Sequence, residues 1–136
     1  MKRIIKLLAT LFAFTTVCLA CGGNRGFESL SPDDFSMLLY NGNIQLVDVR
    51  TGLEYSESHI PGAINMNVMD DSFTVHVDSV LQKDIPVAVY CRSGKRSKKA
   101  ASILVERGFK VFDLDNGLIG WEKAGKEIDK YNLRIK

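Results

Sequence analysis

Short apolar runs alternate with stretches of helical periodicity along most of this chain, and nothing else constrains its fold as tightly. Ile44-Gln45-Leu46-Val47-Asp48-Val49, Pro86-Val87-Ala88-Val89-Tyr90 and Val111-Phe112-Asp113-Leu114 read as strands, and Ile60 to Asn67 reads as a turn followed by a short strand. Helices are expected between them. Ser31-Pro32-Asp33-Asp34 supplies an N-cap, a proline for the first helical position and acids for the first turn, with Phe35, Leu38 and Leu39 as the apolar face and Asn41-Gly42-Asn43 as the stop. Leu53 to Ser58 predicts one short helical turn. Phe73, Val77, Val80 and Leu81 share a helical face ended by Lys83-Asp84, Gly108 stops a helix that reaches Glu106, and a short helix over 117–123 carries Trp121. Strands buried between helices predict an α/β fold, a mainly parallel central sheet with helices on both faces.

The first residues read as an address. Met1-Lys2-Arg3 with Lys6 is a positive start, and Leu7 to Ala20 is uncharged and apolar. Its length of roughly 14 residues suits a secretory signal and is short for a membrane span. Leu19-Ala20-Cys21 resembles the end of a bacterial lipobox, with Cys18 at a position that usually carries leucine. The expectation is therefore export, with residues 1–20 removed, Cys21 lipidated, 21–28 a tether and 29–136 one domain. Gly22 after Cys21 lacks the aspartate of inner-membrane retention, which favours the outer membrane facing the periplasm; a soluble periplasmic protein is the alternative. Loss of Lys2, Arg3 and Lys6 turns 18 basic residues into 15 against 16 acidic ones, so the mature chain is near neutral. That balance leaves no basic footprint for nucleic acid.

Export also isolates one thiol. Cys18 leaves with the leader and Cys21 carries lipid, so Cys91 has no partner for a disulfide, and an unpaired thiol in an oxidising compartment is a liability unless it is used. Cys91 ends the Pro86–Tyr90 strand and opens Arg92-Ser93-Gly94-Lys95-Arg96-Ser97, ahead of the next helix. Loop N–H groups, the start of a helix dipole and nearby cations all favour a thiolate there. Sites in such sheets lie at the carboxyl ends of strands, where Asp48-Val49-Arg50 also falls. Lys98 and Lys99 read as a solvated helix face. The two histidines and one free cysteine have no metal-ligand spacing, so no metal site is expected.

Four blocks resemble the single-domain rhodanese (thiosulfate:sulfurtransferase) family: Leu46-Val47-Asp48-Val49-Arg50 with Glu54-Tyr55; His59-Ile60-Pro61-Gly62-Ala63-Ile64-Asn65; Val89-Tyr90-Cys91-Arg92-Ser93-Gly94-Lys95-Arg96-Ser97; and Asn116-Gly117 with Gly120-Trp121. The resemblance spans Ser29 to Lys126. It implies ping-pong sulfur transfer: Cys91 takes the outer sulfur of a thiosulfate-like donor, becomes a persulfide, and yields that sulfur to cyanide or a thiol, including that of a thioredoxin-like protein. Arg92, Lys95 and Arg96 would dock the anion, Gly94 would turn amides inward, and Ser93 and Ser97 would add hydroxyl donors. Asp48 and Arg50 are implied as supports, with a structural role favoured for Asp48. His59 is expected to be a hydrogen-bonded structural residue, His76 a surface residue and Trp121 part of the core. No cofactor is expected, and the domain is expected to be a monomer.

Two rivals stand beside this reading. Cysteine phosphatases and arsenate reductases also use a cysteine loop for oxyanions, but phosphatases place their arginine six residues after the cysteine, where this chain has Ser97. No Asp or Glu between Val87 and Val105 could protonate a leaving alkoxide. A persulfide carrier or redox partner without small-molecule turnover would need the same Cys91 and cannot be told apart by sequence.

Overall fold

The first helix begins as its sequence dictates: Ser31 Oγ accepts the Asp34 N–H at 3.2 Å and Pro32 opens α1 (Pro32–Asn41). The second uses Thr51 and Glu54 as a reciprocal capping box for α2 (Gly52–Glu57). In α4 (Lys95–Glu106) the stop is Gly108, left-handed at φ 92°. The remaining elements are α3 (Phe73–Val80), α5 (Gly117–Lys123) and the strands β1 (Phe27–Leu30), β2 (Gln45–Asp48), β3 (Ser58–His59), β4 (Ile64–Asn65), β5 (Val87–Tyr90), β6 (Val111–Leu114) and β7 (Asp129–Lys130). The computed structural model describes residues 26–131. The expected leader, the lipidation site Cys21 and most of the tether lie outside the described residues, as do 132–136.

Five strands form one sheet in the order β1-β6-β5-β2-β4, and every neighbouring pair is parallel. The expected α/β architecture is therefore the one the chain builds. β5 is central, with Val89 opposite Val47 on β2 and Asp113 on β6. Successive side chains of a strand face opposite ways, and β5 shows the consequence. Val87, Val89 and Cys91 join the core beneath α3 and α4, with Val77, Ala101 and Leu104; Ala88 and Tyr90 join the opposite core, with Phe35, Leu118 and Trp121. Each fully buried large apolar side chain here contributes about 1.5–3 kcal/mol. Trp121 meets Phe35 edge-on, and its indole N–H donates to the Glu127 carbonyl at 2.8 Å.

Three details depart from or complete the sequence reading. Phe27 and Glu28, assigned to the tether, belong to β1, paired with Val111 and Phe112. All of that strand's ladder bonds come from β6, more than eighty residues away, so four residues with mixed exposure gave no local signal. Val80 is 51% exposed, because the chain leaves the helix at Leu81 and inserts Leu81 into the core instead. Beyond α5 the chain adds a further element as far as Tyr131. β7 pairs antiparallel with β3, Ile128 packs against the core beneath α1 and α5, and the Tyr131 N–H donates to the Glu57 carbonyl at 3.1 Å.

Candidate active site

Cys91 is the first residue past β5 and is 1% exposed. The chain must reverse within three residues to enter α4, and Gly94 makes this possible with φ 102°, a region that costs other residues roughly 1–2 kcal/mol. That turn aims the Gly94 N–H at Cys91 Sγ, 3.1 Å away. Ser97, fully buried on the first turn of α4, accepts the thiol proton at 3.5 Å and donates its own hydroxyl to the Gly94 carbonyl at 3.1 Å. Ser97, expected as a hydroxyl donor to the anion, thus sits beside the sulfur with its own hydroxyl given to the loop backbone.

The other side of the loop is held by α5. Leu118 N–H donates to the Cys91 carbonyl at 2.8 Å and Ile119 N–H to the Arg92 carbonyl at 3.1 Å. Both carbonyls are thereby turned toward α5 and away from the sulfur side. The contact requires glycine at 117: a Cβ there would lie 2.5 Å from the Cys91 oxygen and 2.6 Å from the Arg92 carbonyl carbon. Asn116 precedes it, also left-handed at φ 61°. The sequence reading grouped Asn116-Gly117 with Trp121 but did not find this buttressing role. A left-handed-tolerant pair directly after a strand was the available signal.

Charge around the loop is arranged differently from the sequence expectation. Arg96 forks onto Glu54, with Nη1 to Oε2 at 2.8 Å and Nη2 to Oε1 at 2.9 Å. This hydrogen-bonded pairing, helped by Thr51 and opposed by burial, pulls the Glu54 carboxyl down to about 2. It also raises Arg96, to which charge on Cys91 and Asp48 adds. Arg96, grouped by sequence with the donor-docking cations, therefore faces an anion in the loop as an already paired charge. Arg92, Ser93 and Lys95 are exposed. Arg92 lines an open cleft of about 270 Å³ with Arg50, Glu57 and Glu122, and Lys95 lines another of about 440 Å³ with Met69, Arg96 and Lys99.

Lys98 is a correction. It does not belong to a solvated helix face: Nζ lies 3.0 Å from Oδ2 of the fully buried Asp113 and 3.1 Å from Asp115 Oδ1. A carboxylate sealed in the interior demands a cation, and α4 delivers Lys98 to it. No local pattern links the two residues.

Asp48 and Arg50 form the support on the neighbouring strand. Asp48 is fully buried; Oδ1 accepts the Arg50 backbone N–H at 2.9 Å, and Oδ2 accepts Nη2 at 2.7 Å. Arg50 Nη2 continues to the Ser58 carbonyl at 2.6 Å. Burial works against the guanidinium, but its bonds to Asp48 together with the nearby charges of Asp48 and Glu54 raise it. Only 4% exposed, Arg50 ties the end of β2 to β3. Tyr90 completes the joint: its hydroxyl accepts the Ile60 N–H at 3.0 Å, and burial, with Asp48 nearby, pushes the phenol far above its ordinary value. His59 stacks on Tyr55 at 3.9 Å and donates from Nδ1 to the Tyr55 carbonyl at 2.8 Å, whereas His76 is exposed on α3. The buried sulfur, an inward amide and a helix start leave an anion-stabilising niche at the carboxyl edge of the sheet.

Known proteins are similar to this chain. Residues 31–124 match the model of the rhodanese-like domain family. A thiosulfate sulfurtransferase GlpE of Shewanella oneidensis is 33% identical over 99 residues, covering 72% of this chain and 95% of the relative. One from Actinobacillus pleuropneumoniae is 34% identical over 104 residues, covering 76% and 94%. Among solved structures, the rhodanese-like domain of the Anabaena protein Alr3790 superposes with a TM-score of 0.70 at 22% identity, over 79% of this chain and 83% of that one. With its sheet, its cysteine loop and the match over residues 31–124 in agreement, this chain belongs to the rhodanese-like domain family.

Proposed function

We propose that this protein is a sulfurtransferase that moves sulfane sulfur from a thiosulfate-like donor to a thiophilic acceptor through a persulfide on Cys91. The observation that carries the reading is the buried Cys91 Sγ held 3.1 Å from the Gly94 N–H at the amino end of α4. In the first half-reaction the Cys91 thiolate attacks the outer sulfur of thiosulfate. A bond forms between the two sulfurs, the donor S–S bond breaks, and sulfite leaves with the electron pair. In the second, cyanide or a thiolate attacks the outer persulfide sulfur, and the Cys91 thiolate leaves. Both enzyme forms are anionic at nearly the same place, so one niche of amides and cations serves both. Arg92 and Lys95 are the exposed cations that receive the donor, Ser93 and Ser97 add hydroxyls, and Asp48 with Arg50 braces the adjoining strand end.

The names of the Shewanella and Actinobacillus relatives support thiosulfate as donor. Intact mass of the purified domain with thiosulfate should rise by one sulfur, and cyanide should remove that sulfur as thiocyanate. Absence of the gain sinks thiosulfate as the donor and leaves a partner-fed persulfide carrier as the reading to pursue. We further propose that the protein is exported and held at the cell envelope by lipid on Cys21, facing the periplasm. The acceptor there would be a small thiol or a thioredoxin-like protein.

A further inference from the structure

The sulfur loop is fastened on a side that sequence analysis left bare. Gly94 has two polar groups pointing in different directions: its N–H goes to Cys91 Sγ at 3.1 Å, while its carbonyl accepts from Ser97 Oγ at 3.1 Å, from the Lys98 backbone N–H at 3.4 Å and from Lys98 Nζ at 3.5 Å. The same Nζ lies 3.0 Å from Asp113 Oδ2 and 3.1 Å from Asp115 Oδ1, at the carboxyl end of β6 and just beyond it. Asp113 is fully buried. Its Oδ2 also accepts from Ser29 Oγ on β1 at 3.0 Å, while its Oδ1 has no hydrogen-bond partner among the described residues. A half-satisfied buried carboxylate holds its cation firmly. The ammonium is consequently pinned, and through it the Gly94 carbonyl. Lys98 is in turn neutralised by two carboxylates, so it contributes little net positive charge to a bound donor.

We propose that Lys98 is a positioning residue for the sulfur chemistry: it ties the Gly94 carbonyl to the acidic end of β6 and so holds the Gly94 N–H on the Cys91 sulfur. The inference rests on the reading of Cys91 as the nucleophile. Lys98 acts through Gly94 and touches neither sulfur nor donor. On the elements packed around Cys91 the other charged or titratable groups include Arg92 on the loop, Lys95 and the Glu54-paired Arg96 on α4, Asp48 and Arg50 at the end of β2, Tyr90 on β5, Asp113 with Asp115 on the β6 side, and Glu57 on α2 with Glu122 on α5 across the Arg92 cleft.

The test is the pH dependence of Cys91 alkylation by iodoacetamide, which reads thiolate without needing any sulfur donor. Lys98→Met should raise the alkylation midpoint by about one unit, slowing the reaction roughly tenfold below it. Because that change strands Asp113, whose bare charge would itself oppose a thiolate, Lys98→Met/Asp113→Asn is measured alongside. It removes both members of the buried pair and spares the fold. The same upward shift in the double variant supports the tether; a double variant titrating like wild type overturns it and leaves Lys98 as a counter-ion of Asp113. In turnover, kcat with thiosulfate should fall while KM stays within about twofold; a rise in KM alone would also overturn the proposal. Wild type that alkylates normally but takes no sulfur from thiosulfate would defeat thiosulfate as the donor, and the Lys98 shift would still be read on its own.

Discussion

Glu54 sits on a six-residue helix and yet organises the cationic side of the sulfur loop, because it holds Arg96 with two short bonds. Its carboxyl is held near 2 in the folded chain, below the ordinary 4.5 that it recovers on unfolding. The contribution is therefore present above about pH 4.5 and is lost as pH falls toward 2. Discounted for its exposure to solvent, the pairing contributes on the order of 1 kcal/mol. Urea unfolding at pH 6 and pH 3 should show wild type losing more than half of that increment and Glu54→Gln, which cannot ionise, losing less. An equal loss in both would remove Glu54 from the acid sensitivity. Cys91→Ser tests the opposite kind of residue. Among the described residues its thiol makes polar contacts with Gly94 and Ser97 alone, and serine is close to it in volume, so melting should shift by no more than a few degrees while sulfur loading by mass disappears. Residual loading would relocate the nucleophile.

At the scale of elements, the amino end of α5 matters more than its seven residues suggest. It takes the loop's outward carbonyls, and only glycine at 117 allows the approach. Gly117→Ala should cost about 2–4 kcal/mol by forcing a methyl against the loop backbone in an unfavourable left-handed conformation. Sulfur loading should slow at temperatures where the fold persists. Gly125→Ala, also left-handed but with open space at its Cβ, is the control, and should cost about 1 kcal/mol with loading intact. Equal effects would mean that α5 does not shape the loop. Elements with their own punctuation were legible from sequence: Ser31-Pro32 for α1, Gly108 for the end of α4, and the apolar β5 leading into Cys91-Arg92-Ser93-Gly94. Elements defined only by a distant partner were not, as with β1 leaning on β6 or the two-residue β3 waiting for β7. The Arg96–Glu54 and Lys98–Asp113 pairs were hidden for the same reason, since charged residues 42 and 15 positions apart carry no local mark of their meeting.

For the whole molecule, a parallel sheet fixes what lies at each end. Cys91, Asp48 and Asp113 all fall at the carboxyl edge because their strands run the same way, and the alternation of apolar runs with helices was enough to anticipate this. The export and lipid attachment proposed above belong to this scale as well. Growth with labelled palmitate should mark the protein, and Cys21→Ser should abolish the mark; an unlabelled wild type would favour a soluble periplasmic form. The first strand has a further consequence. β1 enters the sheet at Phe27 running parallel to β5, so its entry point lies at the edge opposite Cys91, and its four residues span about 13 Å at the usual rise of a strand. The chain upstream of Gly26 therefore joins the domain at its back. Under the lipid attachment proposed at Cys21, the sulfur-bearing rim would face away from the anchored side and toward approaching molecules.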